Sequence, residues 1–179
     1  GDALAAALDA AGYDVAREFY INDAGNQIEK FALSLNVRYL QHFEGEEAHL
    51  LPEDCYQGED IKDRVKEFAA IHGDQYLSTS EEERKQALVD YALPKNIQAM
   101  KDDLAHYRIT YDNWFHESSL YERGLVDKVV GILTQKGLTY EKEGALWYRA
   151  SEFGAEKDEV LIRGNGNATY FAADIAYHY

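Results

Sequence analysis

A chain of 179 residues with 46% apolar content can bury one core, or a core plus a small satellite module, and is not a disordered segment. Its net charge of -15, without clusters of Lys and Arg, argues against a free-standing nucleic-acid binder, DNA included. The absence of a long apolar run and of a basic-then-apolar amino terminus argues against a membrane helix and against export, so a cytoplasmic location is expected. The single cysteine, Cys55, rules out an internal disulfide, and the histidines lack metal-ligand spacing, so no metal site is expected.

Leu4, Ala7, Leu8 and Ala11 form a helical stripe that stops at Gly12. Tyr13 to Ile21 then reads as a strand with Val15, Phe19 and Ile21 on one face. A helix-to-strand step of this kind suits an open α/β sheet, in which ligands sit beyond the carboxyl ends of the strands. Asn22 to Gln27 occupies that place. From Ile28, the positions Phe31, Ala32, Leu35, Tyr39 and Phe43 recur at helical spacing until the charged surface loop Glu44 to Asp54.

A second helix is expected over Glu59 to His72, with Ile61, Val65, Phe68 and Ala69 inward and Gly73 as its stop. Ser80 and Glu83 make a capping box for a helix interrupted near Pro94 that resumes through Ile97, Met100 and Leu104. Residues 28–107 thus form a helical excursion. Ile109 to Phe115 reads as a strand, and Ser119 with Glu122 repeats the capping box ahead of Leu125, Val126, Val129, Val130 and Leu133, a helix ending at Gly137. Short β segments follow at 139–141, 145–149 and 160–163, an antiparallel insertion, before a closing helix over 169–179. Gly164-Asn165-Gly166-Asn167 fits a hairpin turn, not a phosphate loop.

Two groups of residues could carry chemistry. Tyr170 and Asp174 lie four positions apart, one helical turn, and could serve one cationic ligand. They could equally be a core aromatic and an exposed helix residue. Asn22, Asp23, Gly25 and Gln27 stand at a strand end that leads into a helix amino terminus, suited to a carboxylate or phosphate, with Asp23 and Gln27 able to orient an ammonium or hydroxyl group. A helix cap and a turn glycine would account for the same residues. Glu117 and Ser118 could reach the same crevice or cap the next helix. His116 and His178 read as surface or packing residues, and Trp114 and Trp147 as core aromatics.

The segments Tyr20 to Gln27, Asp112 to Tyr121, Gly144 to Tyr148 and Thr169 to His178 resemble, in order and over essentially the whole chain, the arginyl-tRNA synthetases, class I aminoacyl-tRNA synthetases. The resemblance implies an α/β fold: part of a Rossmann-like class I catalytic domain with a helical excursion and a small antiparallel β insertion. On it, residues 1–137 form a partial nucleotide-binding-type core that includes the excursion, 138–168 the insertion and 169–179 the return to the core. It also implies that Tyr170 and Asp174 contact the arginine side chain, with Asn22, Asp23, Gly25 and Gln27 lining the pocket. ATP with Mg2+ is the implied co-substrate of the parent enzyme, not held tightly by this piece, and tRNA(Arg) is met mainly through other domains. The family's His-x-Gly-His signature would precede Gly1, and its Lys-Met-Ser-Lys-Ser-like loop and anticodon-binding domain would follow Tyr179. The catalytic residues are therefore expected outside this chain, and the isolated piece is expected not to aminoacylate tRNA. The alternative is a non-catalytic synthetase-derived module that senses arginine or binds another protein.

Overall fold

The computed structural model describes residues 1–179 and shows a mixed α/β chain of two compact units. The first comprises Gly1–Glu18 and Ala24–Asn113, and the second Phe19–Asp23 and Trp114–Tyr179. No helix is long and apolar enough to cross a membrane.

The first unit is helical. After α1 (Asp2–Ala10), it is built from α2 (Gly25–Glu44), α3 (Glu59–His72) and α4 (Glu81–His106). Each of the last three turns an apolar stripe inward, so that Leu35, Tyr39, Ile61, Val65, Phe68, Leu88 and Ala92 close one core. Full burial of each large side chain contributes roughly 1.5–3 kcal/mol. Tyr39 satisfies its buried hydroxyl by donating to the Gly73 carbonyl at 2.7 Å. Arg84, also buried, donates from Nε to Asn36 Oδ1 at 2.7 Å and from one terminal nitrogen to the Tyr76 and Thr79 carbonyls, so its charge is solvated by the protein itself. Ser80 caps α4 as its sequence foretells, accepting from the Glu83 amide at 3.2 Å.

The expected break near Pro94 is absent, because α4 runs through it unbroken. Contacts to α3 hold the far side of the proline: Arg64 Nε donates to Asn96 Oδ1 at 2.9 Å and Lys95 lies 3.5 Å from Glu67. Pro94 is itself exposed, which leaves the carbonyl it cannot serve open to water. Restoring the amide should therefore help. Pro94→Ala is expected to stabilise the first unit by roughly 1–2 kcal/mol, the helical gain being partly offset by a freer unfolded chain, as read by thermal unfolding. A lower melting temperature would show that the proline sets a bend the unit needs.

In the second unit, β1 (Glu18–Ile21) and β2 (Asn113–His116) pair. The Asn113 amide donates to the Arg17 carbonyl and the Glu117 amide to that of Ile21, so the two strands run in the same direction. The long strand expected over 13–21 is cut to its last four residues, since a strand persists only where a neighbour completes its ladder. The same limit moves the expected 109–115 strand to 113–116. A three-stranded antiparallel sheet follows, in the order β3 (Thr139–Lys142), β4 (Ala145–Tyr148), β5 (Glu159–Ile162), with Tyr140 opposite Trp147. Residues 163–167 turn tightly, the Arg163 amide donating to Asn167 and the Gly166 amide to Arg163, which agrees with the hairpin reading.

Between the sheets lie α5 (Ser118–Glu122) and α6 (Leu125–Gln135), and α7 (Tyr170–His178) closes the chain. Leu120, Val126, Val129, Leu161, Ala172, Ala173 and Ala176 form the second core. The capping box expected at Ser119 does not form. Ser119 sits inside α5 and donates to the His116 carbonyl at 2.6 Å, while Gly124 at φ +62° separates α5 from α6 in a conformation that a side chain would strain.

Candidate functional site

The polar residues of the second unit converge around one buried carboxylate. Glu117, the residue where β2 gives way to α5, is only 2% exposed. The Tyr20 hydroxyl, on β1, interacts with this carboxylate, whose Oε2 is buried without a hydrogen-bond partner. Burial above all, then the negative charge of Asp23, pushes the Glu117 carboxyl up from the usual range, with the Tyr20 bond pulling against them and Asp174 adding to the rise. Burial, with the charges of Glu117 and Asp174, likewise pushes the Tyr20 hydroxyl up. Tyr121, on α5, is raised by burial first and then by Glu117. An unpaired lone pair in such a place is costly, and two neighbouring carboxylates make the site a receptor for positive charge.

The helix α7 supplies the open side. Its angle is fixed by Thr169, whose hydroxyl donates to the Val160 carbonyl at 2.6 Å and accepts from the Ala172 amide at 3.4 Å, while the Thr169 amide donates to Leu161. With Ala172, Ala173 and Ala176 packed in the core, Tyr170 and Asp174 fall on the exposed face, Tyr170 being 46% exposed. The Asp174 charge is felt by both Tyr20 and Glu117, and Tyr170 stands near Tyr121. Tyr177, one turn beyond Asp174, packs edge-on against Tyr20 at 4.9 Å between ring centres and beside Phe115 at 4.7 Å. This aromatic floor holds the Tyr20 ring beneath the acidic pair.

Asp23 is the most heavily bonded of the residues the sequence singles out. At 6% side-chain exposure it accepts from the Ser118 amide at 2.9 Å, the Ser118 hydroxyl at 3.0 Å and His116 Nδ1 at 2.7 Å. It thereby ties the end of β1 to the start of α5, beside Glu117. Asn22 is exposed next to it. Gly25 and Gln27 belong to the first unit, where Gly25 opens α2 at φ +63° and Gln27 Oε1 accepts from the Tyr56 hydroxyl at 2.8 Å. Asp23 and Asp174 thus stand near Glu117 and Tyr170 near Tyr121, while within the first unit Gln27 is bonded to Tyr56. Glu117, which sequence left balanced between site and cap, is the group at the centre; nothing in its spacing announces its burial. No cluster of three or more His, Cys, Asp or Glu residues is placed to hold a metal ion.

This geometry belongs to a chain with close relatives. It is 58% identical over 178 residues to the arginine–tRNA ligase of Ruminiclostridium cellulolyticum, and 61% identical over 178 residues to that of Caldanaerobacter subterraneus. Each alignment takes in 99% of this chain but only 32% and 31% of those relatives, so the chain spans about a third of their length. Among solved structures, a candidate arginyl-tRNA synthetase from Campylobacter jejuni superposes with a TM-score of 0.85 at 36% identity, over 99% of this chain and 38% of that one. The Thermus thermophilus arginyl-tRNA synthetase does so with a TM-score of 0.61 at 28% identity, over 99% and 31%. Residues 1–178 match the model of the class I (R) tRNA synthetase catalytic domain, and the chain belongs to that family.

Proposed function

We propose that this chain supplies the arginine-recognition part of an arginine–tRNA ligase, with Glu117, Asp174 and Tyr170 as the receptor for the arginine side chain. The buried, unpartnered Oε2 of Glu117 beside the Asp174 charge is the observation that carries this reading. A guanidinium offers five donors in a planar fork, enough to serve one carboxylate in bidentate fashion and a second one edge-on. Tyr170 adds an aromatic face and an oxygen acceptor. Asp23 and Asn22 stand at the strand tip, where Asp23 holds Glu117 in place and Asn22 is open to the amino-acid end of the ligand. Lysine lacks the fork and citrulline lacks the charge, so both leave a buried acid unpaired. ATP with Mg2+ and tRNA(Arg) are the co-substrates this reading brings with it, and activation of an amino acid needs positioning and charge stabilisation more than a protein nucleophile. The role of the residues described above is to hold and select the amino acid.

Calorimetric titration tests the assignment. The chain should bind arginine saturably and neither lysine nor citrulline, and Asp174→Asn should weaken arginine roughly ten- to a hundredfold, the value of a charge-assisted hydrogen bond. Undiminished arginine selectivity in the variant would remove Asp174 from the pocket.

A further inference from the structure

A groove in the first unit has a mostly basic lining, in a chain of net charge -15. The groove, about 130 Å3 between α2 and α3, is lined by Arg38, Gln41, His42 and Glu46 on one side and Lys62, Val65 and Lys66 on the other. Arg38 is 13% exposed in its side chain; one terminal nitrogen donates to Gln41 Oε1 at 2.8 Å, and its Nε is buried with no acceptor. The carboxylate nearest to it, Glu46, stands 3.8 Å away and is 74% exposed, a weak and displaceable partner. Lys62 and Lys66 are paired only with solvent-exposed acids of their own helix, Glu59 at 2.8 Å and Asp63 at 3.1 Å.

Among the side chains lining the groove, Arg38, Lys62 and Lys66 are permanent cations against the single carboxylate of Glu46, and each is ion-paired only with an exposed acid. We propose that this groove binds a phosphate group, supplied by a phosphodiester of an RNA backbone, with Arg38 as the fixed donor, Lys62 and Lys66 as point charges, and Glu46 as a side chain that swings aside. A tetrahedral anion matches this set better than a carboxylate does, since it offers oxygens to donors arriving from two helices at once. The overall negative charge makes such a site local: it offsets repulsion at one point of contact and does not attract nucleic acid over a distance. The RNA source rests on the ligase reading, whereas the anion chemistry rests on the groove alone.

The test is a titration of the 15N-labelled chain at constant ionic strength, read at the Arg38 Nε–H and at the Lys62 and Lys66 amides. One arm uses inorganic phosphate, the other a single-stranded RNA oligomer without terminal phosphates. Both should give saturable shifts confined to the groove. Glu46→Gln should tighten both ligands about two- to fivefold, Lys66→Gln should weaken them by a similar factor, and for RNA the salt dependence should lose about one unit of slope in Lys66→Gln. Both substitutions fall on exposed side chains, so neither threatens the fold. Absence of saturable change at Arg38, equal shifts at remote lysines such as Lys136 and Lys157, or indifference to Glu46→Gln would overturn the site. Response to phosphate but not to RNA would overturn the phosphodiester source. Arginine added to the same sample and read on α7 reports on the ligase reading separately, so the two can fail independently.

Discussion

Glu117→Gln is expected to make the chain more stable at neutral pH and to weaken its arginine binding by roughly ten- to a hundredfold. The two effects share one cause. In the folded chain Glu117 is held out of water beside Asp23 and Asp174, and its carboxyl is raised above the ordinary value near 4.5. A group raised on folding binds more protons in the native than in the unfolded state. Its stabilising contribution is therefore complete below the ordinary glutamate range and is lost as pH rises through the raised value. The wild type should accordingly lose stability relative to Glu117→Gln across that window, and the two should converge in acid. Arginine binding should restore the wild type and not the variant, because the ligand's cation pairs the carboxylate that burial penalises. Thermal unfolding at several pH values, with and without arginine, measures all of this. A variant less stable than the wild type at neutral pH would mean that Glu117 is a structural acceptor and not a poised receptor. Such a trade of stability for binding is common at functional sites.

Asp23→Ala should be the more destructive change, costing roughly 1–3 kcal/mol, because it removes the nearly buried acceptor that serves His116 Nδ1 and both Ser118 donors. Asp23→Asn keeps one carbonyl oxygen for the Ser118 amide and should cost nearer 1 kcal/mol. It also removes a negative neighbour, so the Glu117 carboxyl should titrate lower in Asp23→Asn than in the wild type. Denaturant unfolding and carbon-detected titration of the Glu117 carboxyl read the two effects. If Asp23→Ala unfolds at the wild-type midpoint, the tie between β1 and α5 does not hold the site together.

The helical elements were largely legible in the sequence. Ile61, Val65, Phe68 and Ala69 are spaced for one face, and Gly73 ends their helix, because a 3.6-residue period and a left-handed stop are local properties. Ser80 announced α4 for the same reason. Sequence and structure part where the outcome is not local. The missing amide of Pro94 predicts a break, yet Asn96 and Lys95 are tied to α3 beyond it. Tyr13 to Ala16 has strand character but lies outside the paired stretch, so only Glu18–Ile21 forms β1.

The candidate site divides in the same way. A phenol and a carboxylate one turn apart on α7, a strand end followed by Asn22 and Asp23, and the class of cation they suit are written in the order of residues, since spacing along one element fixes which side chains share a face. Only the tertiary structure decided that Glu117 is the buried member, that Asp23 spends its oxygens on His116 and Ser118, and that Gln27 is engaged with Tyr56 in the other unit. Burial and like-charge crowding arise from segments distant in the chain meeting at one point, and they, more than the identity of any residue, leave a carboxylate oxygen waiting for a donor.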